Sequence, residues 1–191
     1  MRRDPFKAIV SPRPIGWISS MSADGKVNLA PYSFFNAVSD RPPMVMFSCQ
    51  GPKDSLVFIQ QTGEFVCNLA SFDLLDQMVE TGFRFPRGVN EMEQSGLAAA
   101  ESRLVRVPRV AGSPSALECK LIRVIGLEDA SGNTLSWQLV LGEVVGVHVD
   151  DRYIRQGRIA AVSMRPLARC GYDDYAALDK VFEVPAGLRP R

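Results

Sequence analysis

The stretch PIGWISSMSADGKVNLAPYSFF, residues 14–35, decides the fold class. Two β-prone runs flank Ala23-Asp24-Gly25, and Asp-Gly supplies the positive φ that a tight hairpin turn needs. The two runs are therefore expected to pair antiparallel. The second run continues as VNLAPYSFFNAVS, residues 27–39, which sets Asn28, Ser33, Asn36 and Ser39 among Leu29, Ala30, Tyr32, Phe34 and Phe35. A solvated loop would not expose so many apolar side chains, and a plain core strand would alternate more cleanly. The segment reads as a wall, part core and part polar lining, of the kind that surrounds a planar ligand.

Outward from this hairpin the strand signals continue. Pro42-Pro43 precedes MVMFSCQ, a continuous apolar run ended by Gly51-Pro52. In KDSLVFIQQTG, Asp54 or Ser55 can cap a helix with Leu56 and Ile59 on the core side, Phe58 beside them and Gly63 as its stop. EFVCNLA follows as a fourth strand. SFDLLDQMVETG has amphipathic helical spacing, while FRFPRGVNEMEQSGL, with Pro86, Gly88 and Gly96, reads as a loop with a short helix. LVRVPRV, SALECKLIRVIGLED and SWQLVLGEVVGVHVDD supply further strands, the last two joined through Ala130-Ser131-Gly132-Asn133 as a hairpin. Many strands in hairpin order with few helices predict a mainly β fold, a closed or partly closed antiparallel barrel. No GxGxxG fingerprint supports a Rossmann site. The tail from Ser163 to Arg191 is rich in polar and turn residues and is expected to pack on a neighbour.

At 191 residues the chain has the length of one domain. Its 22 basic and 21 acidic residues give a formal charge of +1, which does not point to nucleic acid or to an anionic membrane surface. The N-terminus meets Asp4, Pro5 and Lys7 before any long apolar run, so it fits neither a secretory signal nor a membrane span, and a cytoplasmic location is expected. Cys49, Cys67, Cys119 and Cys170 are widely spaced and read as reduced thiols, three of them in apolar runs. His148 is the single histidine and lies in an apolar run, so no metal site, haem ligation or Ser/His/Asp triad is expected.

PRPIGWISSMSADGKVNLAPYSFFNAVSDRPPMVMFSC, followed by KDSLVFIQQTGEFVCNL, resembles the flavin reductase-like, FMN-binding split-barrel family. The match continues through GVNEMEQSGL, LECKL, GEVVGVHVDD and RPLARCGYDDY, so a single domain over residues 1–191 is expected. The resemblance implies a split β-barrel, antiparallel and of Greek-key type with a few short helices, forming a homodimer with one FMN per subunit. It places the Ala30 to Ser33 backbone and the Asn36 side chain at the polar edge of the flavin ring, with Asn28 in the same segment. Pro31 and Tyr32 would shape the ring's surroundings, and Trp17, Ser19 and Ser20 would lie near the ribityl chain. Ser48, Cys49 and Gln50 match the end of the third strand on the same side. Lys53, Asp54 and Ser55 also carry an independent argument, because a strand gives way to a helix there. A helix N-terminus offers unpaired N–H donors and a positive dipole, to which Lys53 adds charge. Arg169, Tyr172 and Tyr175 match a tail segment near the partner subunit, although Gly171-Tyr172 stands where many relatives read Gly-Gly.

The expected function is an oxidoreductase that passes reducing equivalents from NADH or NADPH through FMN to free flavin or another small-molecule acceptor, with Arg84 or Arg87 choosing between the nucleotides. The cofactor performs the hydride chemistry, so no catalytic side chain is assigned. The alternative is a non-catalytic or electron-carrier flavoprotein that works with a protein partner.

Overall fold

A computed structural model describes residues 5–185. The expectations about the extreme N-terminus (residues 1–4) and the last part of the tail (186–191) lie outside the described residues. Within them the chain runs α1 (Phe6–Ile9), β1 (Arg13–Pro14), β2 (Gly16–Met21), β3 (Val27–Tyr32), β4 (Phe35–Asp40), β5 (Pro43–Gln50), α2 (Asp54–Thr62) and β6 (Glu64–Leu69). A 3-10 turn (Phe72–Leu74), α3 (Leu75–Glu80), α4 (Glu91–Gln94), β7 (Ala99–Ala100) and β8 (Arg109–Val110) lead to two long strands, β9 (Ser115–Glu128) and β10 (Thr134–Val149). β11 (Ile154–Arg155), β12 (Arg158–Ile159), α5 (Ala161–Met164), β13 (Leu167–Arg169) and β14 (Tyr175–Ala177) complete it.

The main sheet has seven strands in the order β3-β2-β6-β9-β10-β5-β4, and every neighbouring pair is antiparallel. Its two edges, β3 and β4, are joined by Ser33 and Phe34 alone, so the sheet has to curl until the edges meet. The Ser48 N–H donates to the Phe34 carbonyl at 2.9 Å, which carries the β4–β5 ladder up to this junction. The sheet curls without closing, which makes it a split barrel.

Alternation along the strands builds two large cores and a small third one of Val66, Val105, Val107 and Ala116. Ile18, Phe47, Phe65 and Val140 fill the barrel, where Leu56 and Ile59 of α2 plug one end. Trp17, Leu29, Met78, Met92 and Leu167 form the second core, outside the sheet under α3 and α4. Gly142 is what lets Phe65 lie flat against β10, because a Cβ there would stand 2.3 Å from the Phe65 ring. Both predicted hairpins form, β2 with β3 and β9 with β10.

Four local expectations are corrected. LVRVPRV contributes only the short β8, because carboxylates satisfy its backbone in place of a strand partner: Glu118 accepts from the N–H groups of Arg103 and Leu104, and Glu64 from that of Arg106. The helix expected over residues 71–82 divides into a 3-10 turn and the short α3. Lys53 occupies the N-cap of α2, and neither Asp54 nor Ser55 makes a capping bond, since both side chains are engaged elsewhere. The tail packs partly on its own chain, where β13 pairs with β1 and Leu167 and Tyr175 join the second core.

Candidate functional site

A cavity of about 900 Å³ opens where β3, the end of β5 and the start of α2 meet the loop after α3. The size is that of a cofactor pocket. Asn28, Ala30, Pro31, Tyr32 and Ser33 supply one wall, Ser48, Cys49 and Gln50 a second, and Lys53, Asp54 and Ser55 the end. These sequence-predicted residues come together because the β3–β4 junction and the β5–α2 junction face each other across the split.

Trp17, Ser19, Ser20 and Asn36 do not line this cavity. Trp17 is fully buried in the second core and its Nε1 donates to Thr81 Oγ1 at 2.9 Å. Ser19 Oγ donates to the Pro108 carbonyl at 2.7 Å, and buried Ser20 lies 3.4 Å from the Asn28 side-chain amide. Asn36 is exposed and accepts from the neighbouring Ala37 N–H. Trp17 and Ser19 share the β2 face turned away from the barrel, whereas Ser20, on the opposite face, lies behind its strand partner Asn28, which screens it from the cavity.

At the start of α2 the N–H groups of the first turn have no intrahelical partner. Lys53 is exposed beside them with its Nζ 5.7 Å from the Tyr32 ring centroid. Asp54 is tied to the loop above: it accepts from the Gly88 N–H at 2.8 Å and pairs with Arg87 Nε at 3.4 Å. Arg87 also donates to the Pro52 carbonyl at 2.9 Å, so residues 87–88 are fastened over the helix N-terminus.

Below the cavity a polar chain is buried. Tyr32 Oη donates to Ser55 Oγ at 2.9 Å, and Ser55 Oγ donates to Asn28 Oδ1 at 2.8 Å. The Asn28 amide nitrogen then donates to Glu91 Oε1 at 3.3 Å, while the Leu29 N–H donates to Glu91 Oε2 at 3.0 Å. This orientation of Asn28 leaves no two acceptors facing each other. Burial raises the Glu91 carboxyl above its usual range, the Leu29 N–H opposes that rise, and Asp54 adds to it. Burial likewise raises the Tyr32 hydroxyl, against the Ser55 hydrogen bond, and raises the Cys49 thiol, against the charge of Lys53. All three are therefore harder to deprotonate than exposed groups of their kind.

Sequence reasoning missed Lys7, Thr81, Glu91 and Trp137 as lining residues, while Phe34, one of the apolar residues of the 27–39 wall, does line the cavity. Trp137 stands opposite Gln50 across the β5–β10 ladder and its ring centroid is 5.4 Å from that of Phe34. Its only sequence signal is an aromatic residue just past the β9–β10 turn. Arg84 and Arg87, singled out for charge alone, do line the cavity. His148 lies on β10 away from it, with its ring nitrogen held below its usual basicity first by burial and then by Arg109.

The family model for the flavin reductase like domain matches residues 10–163. The chain belongs to the flavin reductase-like family. An uncharacterized protein of Aquifex aeolicus is 36% identical over 169 residues, which span 85% of this chain and 83% of that one. Among solved structures, nitrilotriacetate monooxygenase component B from Bacillus cereus superposes with a TM-score of 0.87 at 31% identity, covering 94% of this chain and 90% of that chain. A split-barrel-domain protein of Shewanella frigidimarina has the same fold, with a TM-score of 0.83 at 24% identity over 94% and 89% of the two chains. This flavin reductase-like chain has a cavity whose donor set suits the flavin its family name implies. Lys7, Lys53, Arg84 and Arg87 face two carboxylates, Asp54 and Glu91, of which Asp54 is already paired. That leaves a cationic surplus for a phosphate beside aromatic walls for a planar ring.

Proposed function

We propose that the cavity holds FMN and that the protein is an oxidoreductase passing reducing equivalents from NADH or NADPH to free flavin or another small acceptor. The observation that carries this reading is the junction of a helix N-terminus, Lys53 and an aromatic-walled cavity within one family-matched segment. Bound flavin supplies the hydride and electron chemistry. The chain's own residues bind and shield. Lys53 and the first-turn N–H groups of α2 hold the terminal phosphate, the backbone of Ala30 to Ser33 and the Ser48 side chain meet the polar edge of the ring, and Phe34 and Trp137 exclude water. Ser55 has a different part. Its hydroxyl hydrogen is committed to Asn28, so it braces the wall and leaves phosphate recognition to Lys53 and the backbone. Arg84 and Arg87 stand at the rim for the nucleotide. Free buried thiols at Cys49, Cys67 and Cys119 suit the reducing cytoplasm.

Lys53→Ala tests the assignment. Loss of a charge-assisted bond costs about 1.5–3 kcal/mol, so FMN affinity should fall by roughly tenfold or more. Riboflavin, without the phosphate, should lose far less. Equal weakening of both ligands, or of neither, would refute the placement of the phosphate. Repeated oxidation of NADH or NADPH by the loaded protein separates an enzyme from an electron carrier, which binds FMN without turnover.

A further inference from the structure

A second cavity, about 390 Å³, opens beside the first and shares Lys7, Pro31, Ser33 and Phe83 with it. One side of it is the small sheet β1-β13-β14. Arg13 on β1 stands directly opposite Arg169 on β13, and Arg169 directly opposite Tyr175 on β14. All three line the cavity. Opposite residues of an antiparallel pair project from the same face with Cβ atoms about 5 Å apart, and like charges in that position repel.

Among the described residues only one exposed carboxylate is built in to offset this. Arg13 is only 6% exposed; its Nη1 donates to the carbonyls of Lys7 and Val10, and its Nε is buried without an acceptor. Among the described residues no carboxylate lies within ion-pair distance of Arg13. Arg169 stacks on Tyr175 at 4.4 Å and pairs with Asp173 at 3.7 Å, but Asp173 is 99% exposed and so screens it weakly. Tyr172 is held at φ +53°, a conformation rare for a bulky residue, and its side chain lines the same cavity. Backbone strain of this kind collects at ligand-binding positions. A buried guanidinium with an unused donor, beside a second guanidinium on the same cavity wall, is a site for an anion.

We propose that Arg13 and Arg169, with Lys7 on the shared wall, bind the carboxylate or phosphate of an aromatic substrate whose ring reaches past Phe83 into the larger cavity. The proposal rests on the functional reading above only for what occupies that larger cavity. It divides the work between two cationic centres: Lys53 for the resident phosphate, Arg13 and Arg169 for the visiting anion.

The test compares anions with neutral counterparts on the full-length protein, flavin-free and FMN-loaded, by calorimetric titration. Benzoate is paired with benzamide, and nicotinamide mononucleotide with nicotinamide riboside. In the wild type at least one anion should bind tenfold or more tighter than its counterpart. Arg169→Met should reduce that preference to about twofold or less, and Arg13→Lys, which keeps charge but loses the fork, should reduce it in part. Lys53→Ala should leave it intact. A preference shown by benzoate alone assigns the anion to the acceptor, and one shown by the mononucleotide alone assigns it to the reductant. The proposal is overturned if neither anion is preferred, or if Lys53→Ala abolishes the preference and Arg169→Met does not. Thermal melting of each variant identifies loss of fold, and Arg169 is the less buried of the two arginines should Arg13→Lys fail to fold. The benzoate titration on flavin-free protein gives its answer whether or not FMN binds.

Discussion

Glu91 joins the short α4 to the wall of the candidate site, and its environment makes a pH signature. Burial disfavours its charged form, so its folded-state pKa lies above the usual 4.5. Between the ordinary value and the raised one, the folded protein holds a proton that the unfolded chain has released. Stability should therefore be fullest below about pH 4.5 as far as this group is concerned, and should fall as pH rises through the window up to the raised pKa. Glu91→Gln keeps an acceptor for the Leu29 N–H and removes the titration. Chemical denaturation of both proteins from pH 4 to 8 should show the wild type losing stability relative to Glu91→Gln as pH rises. A constant difference between them across that range would rule out the buried titration. Asp150, held down to about 2 by Arg152, pulls the other way only at lower pH. Single residues such as Lys53, Asn28 and Ser48 were legible in sequence because they sit near strand ends in one recognisable segment. Glu91, Lys7 and Trp137 were not, since each reaches the cavity from a distant part of the chain, and even the matched stretch GVNEMEQSGL gives no sign that Glu91 turns toward β3.

At the scale of elements, β10 lies against β6 through one close contact. Gly142→Ala would set a Cβ 2.3 Å from the Phe65 ring and 3.2 Å from the Lys120 carbonyl. Overpacking of this kind costs about 1–3 kcal/mol. The urea midpoint should fall while the slope stays unchanged. Gly126→Ala on β9, where nothing lies within 4 Å, should leave the midpoint nearly where it was. An equal response at both positions would show that strand propensity, not the Phe65 contact, governs the site. The strands themselves were legible: Asp-Gly and Ser-Gly-Asn turns marked two hairpins, and helical spacing put Leu56 and Ile59 on the core side of α2, where they lie. LVRVPRV failed for a physical reason. Its composition favours a strand, but Glu64 and Glu118 supply acceptors to its N–H groups, and no neighbouring strand competes with them. The α2 cap failed similarly, because Ser55 and Asp54 had better partners in Tyr32, Asn28 and Gly88 than in their own helix.

For the molecule as a whole, the long arms of β9 and β10 leave Ile122, Ile125 and Leu135 exposed, and the last described residues leave Val181 and Phe182 exposed, the latter by 85%. A two-fold pairing of such faces would cover them. Light scattering should return twice the 21.0 kDa chain mass, and a monomer with flavin bound would remove the homodimer from the account. The junction at Ser33 and Phe34 has a further consequence. It is wall to the candidate site and also the seam of the sheet, the two-residue link between its two edge strands, with Phe34 pinned to β5 by the Ser48 N–H. A ligand resting on that seam resists its opening. Amide exchange should therefore slow together in β3 and β4 when FMN is added, although the two strands are the farthest apart in the sheet order. Slowing confined to β3 would mean that the seam opens independently of the ligand. If the two strands respond as one, the split in the barrel acts as a zipper whose slider is the bound flavin.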